Sequence, residues 1–127
     1  MRDRHALFFE LVDGVRHPAA AVPAGARDLA ALGYHAVLVT PRRLDDSEVL
    51  MLERALRPVF GARFLGIVEM PDPNDPHPLW EAARRFQFDL RRSLFCSHEG
   101  RRAGAARIAG IARIVPPVEL ARTVGTC

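Results

Sequence analysis

The chain has 127 residues, 49% of them apolar, with a net charge of +3 and a pI near 9.6. That length suits one domain whose core needs no staple, the apolar share is that of an ordinary globular protein, and no apolar run is long enough to cross a bilayer. All 18 basic side chains are arginine, which excludes Schiff-base and lysine-clamp chemistry; spread among Glu and Asp on predicted helices, they read as a solvated surface rather than a nucleic-acid patch.

Met1-Arg2-Asp3-Arg4 precedes an apolar stretch too short for a signal peptide, so a cytoplasmic location is expected. Residues 5–12 then form a nearly continuous apolar run, as a strand buried on both faces should. Asp13-Gly14 breaks it with turn chemistry. Pro23 opens a short helix that stops at Gly33. Residues 34–40 read as the second buried strand. Asp45, Asp46 or Ser47 is the predicted cap of the next helix, whose stripe of Leu50, Leu52, Leu56 and Phe60 runs towards Gly61. Pro58 argues against a regular last turn.

Residues 63–69 form a third predicted strand. Four prolines between Pro71 and Pro78 exclude regular structure there. A helix is predicted from about Leu79 to Phe88, a strand over 93–97, a helix over 99–109 stopped by Gly110, and a strand over 111–115 ended by Pro116-Pro117. Val118 to Arg122 is predicted as a final turn of helix. The two cysteines suggest no disulfide framework: Cys96, inside an apolar run, is expected to pack as a small hydrophobe, and Cys127 to be exposed.

Alternating strands and helices predict an α/β domain with a parallel sheet covered on both faces. In such sheets ligands bind at the carboxyl ends of the strands, which directs attention to the loops near 10–14, 40–43, 70–78 and 97–102.

The segments around those loops carry a resemblance. Pro78-Leu79-Trp80-Glu81-Ala82-Ala83 to Phe88-Asp89-Leu90-Arg91-Arg92-Ser93, Gly104-Ala105-Ala106-Arg107-Ile108-Ala109-Gly110-Ile111, and Pro23-Ala24-Gly25-Ala26 through Leu32-Gly33-Tyr34 are, in order and spacing, similar to segments of the haloacid-dehalogenase superfamily. The likeness spans nearly the whole chain. It is nearest to the small, capless phosphatases that act on histidinol phosphate or heptose bisphosphate. The resemblance implies a three-layer, Rossmann-like fold of about five parallel strands in the order 3-2-1-4-5, as a single domain over residues 1–127 without a cap.

The chemistry of that family needs four things, which this chain meets only in part. A nucleophilic aspartate ends the first strand, with an acid–base aspartate two residues on, then Gly. Asp13-Gly14 matches the second aspartate, but counting back two gives Leu11, which has no nucleophilic atom. Glu10 is the nearest carboxylate and is a methylene longer. Glu10 and Leu11 point to opposite sheet faces, so only one aims at the site. Thr40 matches the Ser or Thr that holds the transferring phosphoryl group, but Pro41 follows it without a backbone donor. Where a Lys or Arg offsets charge, Asp75 stands in Asp75-Pro76-His77-Pro78 and would repel a phosphate.

Where carboxylates after strand four would hold magnesium, the matching positions are Ser97, His98 and Arg102, which do not suit that ion. Segment 71–78 offers only His77 as a soft ligand, so a zinc site is not expected either.

No catalytic residue is therefore expected; Glu10, Leu11, Asp13, Thr40, Asp75, His98 and Arg102 are remnant positions. No metal or cofactor is expected, with Mg²⁺ relevant only to an enzymatic alternative. Arg42, Arg43, His77, His98, Arg101 and Arg102 are expected near the strand carboxyl ends as anion-binding candidates, beside a helix N-terminus near Glu99. The competing reading pairs these arginines with Asp45, Asp46, Asp72 and Asp75.

The expected function is non-catalytic: a phosphatase-like pseudoenzyme for binding or assembly, as a homodimer or with a larger protein partner, and with neither membrane nor nucleic acid. The alternatives are a divergent phosphatase using Glu10 or Asp13, and a metal-free sensor of a phosphorylated metabolite. Exposed sheet edges and Phe60, Phe64, Trp80, Phe86 and Phe88 are candidate contacts, although such aromatics more often belong to a core.

Overall fold

The computed structural model describes residues 4–11, 18–97, 100–117, 119, 120 and 122. Five parallel strands form one sheet in the order β3-β2-β1-β4-β5. They are β1 (Ala6–Phe9), β2 (His35–Thr40), β3 (Phe64–Glu69), β4 (Leu94–Cys96) and β5 (Arg113–Val115). The helices are α1 (Ala26–Ala31), α2 (Asp46–Phe60), α3 (His77–Phe86) and α4 (Gly100–Ala109). This is a Rossmann-like α/β arrangement, with the strand order that the resemblance implied.

Strand alternation sorts the core into two layers. Ala6 and Phe8 point to one face and pack with Val37, Val39, Phe95 and the buried sides of α3 and α4. Leu7 and Phe9 point to the other, with Leu38, Cys96, Leu29 of α1 and Leu52, Leu56 and Phe60 of α2. Phe8 is fully buried, stacked on Phe95 and edge-on to Phe88. Burying one such ring stabilises by about 1.5–3 kcal/mol relative to leaving it in water.

The ends of the elements follow local chemistry. Asp45 caps α2: its carboxylate accepts the Glu48 N–H at 2.8 Å, and the Glu48 carboxylate accepts the Asp45 N–H at 3.2 Å. Gly33 and Gly110 follow α1 and α4 at φ 109° and 112°, a conformation that favours glycine. At the start of β1, the Ala6 N–H donates to the buried Ser93 hydroxyl at 2.9 Å.

Several boundaries differ from those expected. α2 runs through Pro58 to Phe60, because Leu56 and Phe60 are buried and hold the last turn against the lost backbone bond. α3 begins at His77 and ends at Phe86, two residues earlier at each end than expected. Prolines pre-set its first turn, and Gln87, at φ 64°, turns the chain so that Phe88 enters the core. β1 ends at Phe9 rather than continuing to residue 12. Near the C-terminus the described residues Pro117, Glu119, Leu120 and Arg122 are helical, with Leu120 buried under the α1/α2 layer.

Among the aromatics considered as contacts, Phe60, Phe64 and Phe88 are core residues, Phe86 is half-buried against the core, and Trp80 is 42% exposed. Among the described residues, no helix is long and apolar enough to cross a membrane.

Candidate functional site

The carboxyl ends of β1 and β4 bring three polar side chains together. Glu10 shares the face of Phe8, two residues earlier, and so points towards α4. Arg102, in the first turn of α4, donates from Nη1 to Glu10 Oε1 at 2.7 Å. Ser97, just past β4, donates its hydroxyl to Glu10 Oε2 at 3.3 Å. The Glu10 and Arg102 side chains are only 9% and 6% exposed. A buried pair of this kind repays its desolvation only when geometry is good and further hydrogen bonds assist; the Ser97 hydroxyl supplies one.

Leu11 turns to the opposite face and packs partly buried against the α1/α2 core. Cys96 lies beside this centre, fully buried. Burial, and then the Glu10 carboxylate, push its thiol up to about 12.

The remaining candidate positions are dispersed. Thr40 is buried at the end of β2, and its hydroxyl donates to the Arg42 carbonyl at 3.0 Å, closing the turn after the strand. Arg42 forms an exposed ion pair with Glu48. That contact, and then the Asp45 N–H, hold the Glu48 carboxyl below its usual range. Of the acids proposed as arginine partners, Asp45 caps α2, while Asp72 and Asp75 accept the N–H groups of Asn74 and His77 at 2.9 and 3.0 Å.

Arg43 and Asp75 line one open cleft of about 300 Å³ with Glu69, Asp72 and two prolines. His77 is exposed and edge-on to Trp80, with ring centroids 5.6 Å apart, in a second cleft with Glu81, Arg84 and Leu90. Asp13 and His98 lie outside the described residues, as does the side chain of Arg101.

These residues do not fit a magnesium ion. Mg²⁺ takes octahedral oxygen ligands at about 2.0–2.1 Å, whereas the carboxylate at the centre already faces a guanidinium at 2.7 Å. Among the described residues no group of three or more His, Cys, Asp or Glu side chains stands together as a metal site.

No protein-family model matches the chain, and no curated protein is significantly similar to it. Among solved structures it is similar to the NMR structure of the core domain of a protein assigned as a phosphoglycolate phosphatase from Streptococcus pneumoniae TIGR4. The TM-score is 0.58 at 15% identity, over 91% of this chain and 82% of that one. The likeness is one of fold.

The sequence alone does not pair Glu10 with Arg102: it offers Glu10 as the carboxylate nearest the nucleophile position and Arg102 as a residue unsuited to magnesium. Two signals were present: the parity of Glu10 with the core residue Phe8, and arginines in the first turn of α4, where acids are favoured.

Proposed function

We propose that this chain is a phosphatase-fold protein without phosphatase chemistry, which serves as a binding or assembly module in the cytoplasm. The buried Glu10–Arg102 ion pair carries the reading. A carboxylate that accepts hydrogen bonds from a guanidinium and a hydroxyl is a poor nucleophile. The same guanidinium opposes a divalent ion in the place where charge would have to be neutralised during phosphoryl transfer.

The fold likeness to a protein assigned as a phosphatase supports the first half of this reading. The substitutions at Leu11, Asp75 and Arg102 support the second. The partner is a second copy or a larger protein.

Hydrolysis of p-nitrophenyl phosphate with and without magnesium tests the proposal. The purified chain is expected to give no turnover above buffer, and light scattering on the eluting protein to show a dimer or a complex. Magnesium-dependent turnover that is lost in Glu10→Ala or Asp13→Ala would establish a divergent phosphatase instead.

A further inference from the structure

Arg102 stands in an unfavourable place for a cation. It lies in the first turn of α4, at the positive end of the helix dipole, and that turn carries no acidic residue of its own. Its side chain is also almost wholly buried, and burying a guanidinium is costly unless it is paired. A local conflict of this kind needs a compensating gain elsewhere. The gain is Glu10, whose carboxylate stands just past β1, in the middle of the sheet, and faces Arg102 at 2.7 Å. Each group would be untenable there alone.

We propose that Arg102 is a resident cation. Its tethered guanidinium fills the crevice at the carboxyl ends of β1 and β4, closes it to divalent metal ions, and neutralises Glu10 permanently. When that side chain is shortened, the crevice becomes a receptor for a small guanidinium-type cation, with the Glu10 carboxylate, held by the Ser97 hydroxyl, as its acceptor. This deepens the non-catalytic reading and rests on it: the site is self-filled rather than merely eroded.

The test uses thermal melts of the full chain. The wild type is expected to melt at the same temperature in millimolar magnesium chloride and in EDTA. Arg102→Ala removes the groups that ethylguanidinium would restore. It is expected to melt several degrees lower and to regain most of that loss, saturably, with added ethylguanidinium. Glu10→Gln/Arg102→Ala is expected to show no such recovery.

Recovery of equal size in single and double variants would overturn the proposal. So would a wild-type melt raised by magnesium and no longer raised in Glu10→Gln. If Arg102→Ala does not fold, Arg102→Met and Glu10→Gln/Arg102→Met carry the test. The double variant must then be the more stable of the two, since it leaves no uncompensated carboxylate; equal instability refutes the resident cation. Turnover in the ester assay alongside intact recovery would remove only the non-catalytic reading, and silence in that assay without recovery would remove only the resident cation.

Discussion

At the scale of single residues, position along a strand decides chemistry more than residue type does. Glu10 and Leu11 are neighbours, yet one meets Arg102 under α4 and the other packs beneath α1 and α2. Cys96 shows the same dependence on surroundings. Its thiol, pushed up to about 12 by burial and by Glu10, is expected to resist Ellman's reagent in the folded chain at mildly alkaline pH. In a Cys127→Ser background, modification should appear only as denaturant unfolds the protein. Fast labelling of the native chain would show that the thiol is neither buried nor raised.

At the scale of elements, a single short contact ties two helices together on one face of the sheet. Trp80 is the sole tryptophan of the chain. Although exposed on one side, it donates its indole N–H to the Ala109 carbonyl at 3.1 Å and so fastens α3 to the end of α4. Trp80→Phe keeps most of the ring and loses that bond. It is expected to cost about 1 kcal/mol, read as a lower urea midpoint with an unchanged slope. The helices themselves were legible from punctuation: the Asp45 cap, Gly33 and Gly110 each stand at a boundary found in the structure. The α3 boundaries were not, because the shift depends on Phe88 being drawn into a core assembled from β1, β2 and β4.

At the scale of the whole molecule, the amino end of the sheet sets the response to acid. His5 and His35 lie there, with His5 edge-on to Tyr34 at 4.4 Å and His35 near Phe88 at 6.3 Å. Each has a buried Nδ1 without a hydrogen-bond partner. Burial first, and then Arg92 for His5 and Arg63 for His35, lower both from the ordinary 6.5. The unfolded chain therefore takes up these protons before the folded one does. Stability is expected to be full above 6.5, to fall as pH drops below that value, and to level off once pH passes beneath the folded values. Urea midpoints measured across that window should show the decline in the wild type and a flatter profile in His5→Gln/His35→Gln. An equal decline in both would place the acid sensitivity elsewhere.

By itself the sequence determined the alternation of strands and helices, the parallel sheet and most of the caps, because apolar runs and turn residues act locally and right-handed crossovers restrict topology strongly; the strand order came from the resemblance to a known superfamily. Set beside the superfamily it resembles, it also carries different residues at positions where phosphoryl chemistry would be expected. Only the tertiary structure decided what the exchanged residues do: Glu10 and Arg102 are 92 positions apart, and no local pattern tells which buried charge will face which. That choice belongs to the packing of α4 against β1, where a carboxylate and a guanidinium removed from water must find one another or not be buried at all.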